Sequence, residues 1–133
     1  MAQQEFIPYE QALELKELGF DEECFGYYDT EGLEVSSDWY FNPHNKNSLF
    51  PEPYTTNNPK ISAPLYQQAF RWFREKYNLM YIIEEVWEED TEYYVVEITT
   101  HNRVDDFLQE CTYEEAELAC LKKLIELVKP QTI

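Results

Sequence analysis

The stretch that most constrains this chain is residues 62–79, SAPLYQQAFRWFREKYNL, which predicts one amphipathic helix with an aromatic buried stripe. Tyr66, Ala69, Phe70, Phe73 and Tyr77 recur at helical spacing and share one face, with Leu65 and Trp72 beside them. Gln67, Gln68, Arg71, Arg74 and Glu75 fall mostly toward water. Ser62 suits the N-cap, Pro64 the first turn, where backbone donors lack helical partners, and Asn78 the left-handed C-terminal position. So much aromatic area on one face has to be covered, and the rest of the chain is expected to assemble on it.

What assembles is bounded by size and charge. With 133 residues there is room for one domain, residues 1–133, large enough to bury a core without staples. The 44% hydrophobic and 17% aromatic content argues for folding rather than disorder. The net charge of −17 is unevenly placed: −10 over residues 1–38, +3 over 39–83, −12 over 84–117 and +2 beyond. Such a field repels nucleic acid and anionic lipid and attracts basic protein surfaces, when it does more than keep a protein soluble. Cys24, Cys111 and Cys120 form no C-x-x-C pair and fit reduced thiols in a cytosol, with Cys120 on an apolar helix face. No signal peptide or membrane span is read from the chain, so the expectation is an intracellular protein.

Taken in order, residues 8–18 predict a helix opened by Pro8 and stopped by Gly19, with Phe20 folding back on Leu15 as in a Schellman motif. The aromatic run from Cys24 to Tyr28, the turn set Asp29–Gly32 and a returning segment from Leu33 to about Ser37 predict a hairpin. A loop follows at about 38–61, rich in Pro and Asn; a structureless stretch of this length inside a compact domain is usually functional. It carries Trp39, Tyr40, Phe41, Phe50 and Tyr54, which either pin the loop to the core or serve as exposed binding anchors.

After the central helix, residues 80–87 and 92–100 alternate with a β period and predict a hairpin with an acidic tip. The first of these strands is apolar on both sides near its start, through Tyr81, Ile83 and Trp87 on one face and Met80, Ile82 and Val86 on the other, and is expected to be central in the sheet. Residues 101–110 are expected to be a polar link, with a short strand or turn around Val104–Leu108. Thr112 and Glu115 form a capping box for a last helix ended by Pro130, with Ala116, Cys120, Leu124 and Leu127 as its inner stripe and Leu121 and Val128 widening it. The expected fold is α+β, in the order α-β-β-(long loop)-α-β-β-α, with a small antiparallel sheet and helices packed mainly on one face.

Three of these segments, ALELKELGFDEECFGYYD, SAPLYQQAFRWFREKYNL and YEEAELACLKKLIELVK, which together cover 53 residues, are similar to a widespread group of short proteins of bacteriophages and mobile elements of gut bacteria. That group has no assigned activity, so no site residue passes over from it. The resemblance implies a phage or prophage origin and the cytoplasm of a bacterial host.

No enzyme motif emerges from the residues. Glu84 and Glu97, on neighbouring strands, are the best pair for carboxylate catalysis, which needs two acids converging in one cleft; chance proximity on a solvated sheet explains them as well. His101 with Asp105 and Asp106 lacks the ligand set of a metal site. His44 and His101 have no nucleophile elbow, and the few glycines build no phosphate-cradling loop. Arg71, Arg74 and Lys76 beside Trp72, with Lys46 and Lys60, offer a weak case for nucleic-acid binding that the total charge opposes.

The function expected is therefore that of a non-enzymatic acidic interaction factor, of accessory or anti-defence type, without cofactor or metal. Its partner would be a host or phage protein with a basic surface. Glu85, Glu88, Glu89, Asp90 and Glu92 are expected to steer it, and the five loop aromatics to anchor it. Mimicry of DNA is a sharper form of the same reading. The rivals are a small virion or replication-module component, in which self-association is open, and more remotely a carboxylate-dependent hydrolase.

Overall fold

The computed structural model describes residues 5–35, 61–100 and 103–129, of which residues 103–107 are described by backbone alone. The chain is α+β, with three helices and two antiparallel three-stranded sheets among the described residues, and it divides into two compact units, residues 1–66 and 67–133.

The first unit holds α1 (Tyr9–Glu17), β1 (Gly26–Asp29), β2 (Gly32–Val35) and β3 (Ile61–Ala63). Helix α1 ends as its sequence predicts: Gly19 takes φ +98° and the Phe20 N–H donates to the Leu15 carbonyl at 2.9 Å, with both side chains buried. β1 and β2 form the expected hairpin, in which Asp29 Oδ1 accepts the Glu31 N–H at 2.8 Å and Gly32 takes φ +115°, a region that favours glycine.

Beyond this, the sheet differs from expectation. Ile61–Ala63 pairs with β1 as a third strand, in the order β2-β1-β3, so Ser62 is not a helix cap: it sits opposite Tyr27 in a buried strand. Pro64 is buried just after this strand, and its carbonyl accepts the Ile7 N–H at 3.0 Å. A proline carbonyl serves an antiparallel bridge as well as any other, which is why the residue fits here as readily as in a helical first turn. The Tyr28 hydroxyl donates to the Ile7 carbonyl at 2.7 Å and ties the N-terminal segment to the same sheet. Of the loop at about 38–61, residues 38–60 lie outside the described residues.

Helix α2 (Tyr66–Tyr77) is shorter than residues 62–79, but its faces are those expected. Tyr66, Ala69, Phe70, Phe73 and the flanking Trp72 are buried, Tyr77 is half-buried, and Arg71, Arg74 and Glu75 are exposed. Asn78 follows at φ +57°, with the Leu79 N–H reaching the Phe73 carbonyl at 3.4 Å.

The second unit continues with β4 (Met80–Glu88), β5 (Thr91–Thr100), β6 (Arg103–Glu110) and α3 (Tyr113–Val128). The sheet order is β4-β5-β6, so among the described residues β5 is central and β4, expected in the middle, is an edge strand. The apolar content of both its faces has another origin: one face is covered by helices, while the other leaves Met80 and Ile82 47% and 51% exposed.

β6 replaces the expected polar link. Its register on β5 is regular from Glu110 to Asp106, then skips Asp105 so that Val104 meets Thr99. That bulge breaks the period-two pattern by which a strand is recognised. Helix α3 is capped as predicted: Thr112 Oγ1 accepts the Glu115 N–H at 3.1 Å and donates to its carboxylate at 3.0 Å. Its buried stripe is Ala116, Cys120, Leu121, Leu124 and Ile125; Leu127, expected inside, is 37% exposed in the last turn, and the stripe is rotated toward Ile125. Burial, with Glu117 adding to it, pushes the Cys120 thiol up to about 12, which makes it core rather than nucleophile.

Gly26 has no room for a side chain, since a Cβ there would lie 2.9 Å from the Phe6 ring. Gly26→Ala is expected to lower the unfolding free energy by about 1–3 kcal/mol, read as a reduced midpoint in chemical denaturation. An unchanged midpoint would show that the Phe6 ring swings aside freely.

Candidate interaction surface at the end of a hairpin

β4 and β5 pair without interruption from Met80↔Thr99 to Glu88↔Thr91 and are joined by Glu89 and Asp90 alone. Both turn residues have positive φ, +50° and +66°. This is the geometry of a type I′ turn, whose twist matches that of the strands and whose preferred residues are Asn and Gly. Two acidic residues here carry strain of about 1 kcal/mol each.

The register sorts the side chains. Tyr81, Ile83, Glu85 and Trp87 face the same way as Ile98, Val96, Tyr94 and Glu92, their partners on β5. This is the inner face: Phe70 of α2 stacks on Tyr81 with ring centroids 4.4 Å apart, and Tyr113 of α3 meets Tyr94 edge-on at 5.8 Å. Burial pushes the Tyr81 hydroxyl above its ordinary range, although a hydrogen bond to Gln67 opposes this. The outer face carries Met80, Ile82, Glu84, Val86 and Glu88 with Tyr93, Val95 and Glu97.

Helix cover does not reach the turn. Glu85, Trp87, Glu88, Glu89, Asp90 and Glu92 are all exposed, Trp87 at 66%. Three of the carboxylates are oriented by aromatic donors: Trp87 Nε1 donates to Glu85 at 2.6 Å, the Tyr93 hydroxyl to Glu88 at 2.9 Å and the Tyr94 hydroxyl to Glu92 at 3.0 Å. These donors are neutral, so they fix the carboxylates in place without cancelling their charge. The hydrogen bonds in turn raise the Tyr93 and Tyr94 hydroxyls above their ordinary range, with burial and the same carboxylates adding to the effect. An exposed end is built here from fixed negative charge and one large open ring.

The five acids named from the sequence thus come together at one end of the unit, but not on one face. Glu85 and Glu92 are on the inner side, Glu88 on the outer side, and Glu89 and Asp90 at the tip. A phosphate-like row along one face is not formed, and DNA mimicry is not carried forward. Trp39, Tyr40, Phe41, Phe50 and Tyr54 lie outside the described residues, as does His101. Trp87, placed from the sequence on the face of Tyr81 and Ile83, joins this end together with Tyr93 and Tyr94, none of them among the expected binding residues; the spacings Glu85-x-Trp87 and Glu92-x-Tyr94 carry the signal, because residues two apart on a strand share a face.

Other candidates fare less well. Glu84 and Glu97 are diagonal neighbours on the outer face, Glu84 exposed and Glu97 half-buried. Carboxylate hydrolysis needs two acids in one enclosed hollow, and among the described residues no Asp or Glu is buried. An open depression of about 600 Å³ in the first unit, lined by Tyr9, Tyr28, Asp29, Glu31 and Ile61 among others, holds no buried acid: Glu31 is exposed, and Asp29 is half-buried and accepts the Glu31 N–H. Among the described residues no group of three or more His, Cys, Asp or Glu could hold a metal, and no helix is long and apolar enough to cross a membrane. Trp72, the ring offered for base stacking, is buried, with Lys76 Nζ 4.9 Å from its centroid.

Comparison with protein-family models, with curated proteins and with solved structures gives no match. The functional reading therefore rests on the chain's own geometry.

Replacing Glu89 and Asp90 together by Asn and Gly is expected to stabilise the protein by about 1–2 kcal/mol, seen as a rise of a few degrees in the thermal midpoint. A fall in the midpoint would show that the turn is not held in the left-handed region.

Proposed function

We propose that the chain is a non-enzymatic acidic interaction factor of phage or prophage origin that acts in the bacterial cytoplasm by docking on a protein with a basic surface. The observation that carries this reading is the hairpin end, where fixed carboxylates surround the exposed Trp87. Aromatic residues dominate the energy of protein interfaces, and surrounding charges set encounter rate and partner choice. A chain with net charge −17 and exposed carboxylates at this hairpin end approaches basic surfaces quickly and anionic ones slowly. The left-handed Glu89-Asp90 turn points the same way, since strained positions cluster where a protein does its work. The free cysteines fit a reducing compartment. The phage origin rests on the resemblance of the three helix-bearing segments.

Self-assembly as a virion component is the less favoured reading, because it would bring like-charged surfaces together. The test is affinity capture from expressing bacteria at two salt concentrations, with the wild-type chain, a Trp87→Ala variant and a triple Glu88→Lys, Glu89→Lys, Asp90→Lys variant. The expected result is a partner captured by wild type, lost with the triple variant, and weakened at high salt or by about 2 kcal/mol or more without Trp87. Capture of the same proteins by all three chains would overturn the reading.

A further inference from the structure

Strand β4 is nine residues long, pairs without a bulge, contains no proline or lysine, and has no second strand neighbour among the described residues. An edge of this kind is a template for another strand unless something blocks it. Which backbone groups it offers follows from the turn. In a two-residue hairpin the closing pair, Glu88↔Thr91, exchanges hydrogen bonds, and every second pair back along the ladder does the same. The amides of Glu88, Val86, Glu84, Ile82 and Met80 therefore point to β5, and those of Trp87, Glu85, Ile83 and Tyr81 point away from it, along the open edge.

The side chains beside that edge decide what can pair there. Met80, Ile82 and Trp87 are largely exposed apolar groups, and Glu84, Glu85 and Glu88 are exposed carboxylates. No cation stands on the strand itself. A second copy of the chain would bring a second charge of −17 to the edge, and pairing centred on Glu84 or Glu85 would set like carboxylates opposite each other, which destabilises a ladder. A strand with basic residues opposite the glutamates and apolar residues opposite the rest meets no such penalty.

We propose that β4 is a docking edge for an extended segment of a basic partner protein, which adds as a fourth, antiparallel strand. This rests on the interaction reading above and specifies its partner. Read from the end nearest the turn, the segment that fits is basic opposite Glu88, apolar opposite Trp87 and Val86, basic opposite Glu85 and Glu84, and apolar opposite Ile83 and Ile82. Backbone hydrogen bonds supply the affinity and the alternating charges the register, as in other cases of strand addition.

The probe is a fluorescein-labelled peptide, Lys-Val-Val-Lys-Lys-Val-Val, with Glu-Val-Val-Glu-Glu-Val-Val as its control, titrated against the full chain by anisotropy. The lysine peptide is expected to bind and the glutamate peptide not to bind. A rise from 50 to 500 mM salt is expected to weaken binding about tenfold. Amide exchange followed by NMR should slow at Ile83 and Glu85 when the peptide is bound. Glu85→Pro, which removes one outward N–H, is expected to weaken binding about tenfold beyond the effect of Glu85→Gln, with the fold of both variants checked by circular dichroism. No binding of the lysine peptide, binding without protection of those two amides, or equal affinity of the proline and glutamine variants would overturn the proposal. Protection of the same amides that grows with protein concentration alone would assign the edge to a second copy and overturn it as well. If these tests fail while the lysine substitutions at Glu88, Glu89 and Asp90 still abolish partner capture, strand addition is wrong and the acidic docking end stands.

Discussion

The ring of Phe70 lies 4.4 Å from that of Tyr81, and this contact decides which side of β4 is inside. Side chains on a strand alternate, so once Tyr81 is turned toward α2, Ile83 follows it inward and Met80 and Ile82 are turned out. Ile98 and Val96, opposite Tyr81 and Ile83, are completely buried and extend the same inner face onto the central strand. Tyr113 against Tyr94 brings α3 to that side too. The aromatic stripe of one helix thus sets which way the side chains of β4 alternate: on the outer face Met80 and Ile82 stay about half exposed, while Val95 of the central strand is buried.

That consequence leads to the chemistry. The inner face runs out of helix before the hairpin ends, so the last residues of both strands project as a two-stranded ribbon. Acidic residues there cost little in desolvation, and the indole and phenol donors hold them in defined positions. Carboxylate catalysis would call for the opposite arrangement, with two acids enclosed together. Interaction calls for charge that is fixed, exposed and not cancelled, and this end provides it.

Much of this was legible in the residues. The burial of Tyr66, Phe70 and Phe73, the Gly19 and Asn78 stops and the Thr112 cap follow from local periodicity and backbone preference, and the structure has all of them. The two extra strands were hidden for different reasons. Ile61–Ala63 is too short to show a period and sits before a proline that also suits a helix start, whereas β6 has its alternation broken at Asp105. The position of β4 was misjudged because apolar residues on both faces mark a central strand as readily as an edge strand with an uncovered face. Glu85, Glu88, Glu89, Asp90 and Glu92 could be placed together at a hairpin end from sequence, but their division between two faces depends on the two-residue turn, which only the register reveals.

One-sided packing of β4, with Tyr81 and Ile83 turned inward and Met80 and Ile82 left exposed, is the claim on which the exposed end and the edge both depend. It is tested most directly by comparing Ile82→Ala with Ile98→Ala in equilibrium denaturation, two truncations of the same size on opposite faces of one sheet. The account predicts a loss of about 2–5 kcal/mol for Ile98 and less than about 1 kcal/mol for Ile82. Equal, large losses at both positions would contradict it, because they would show that the outer face is covered as thoroughly as the inner one.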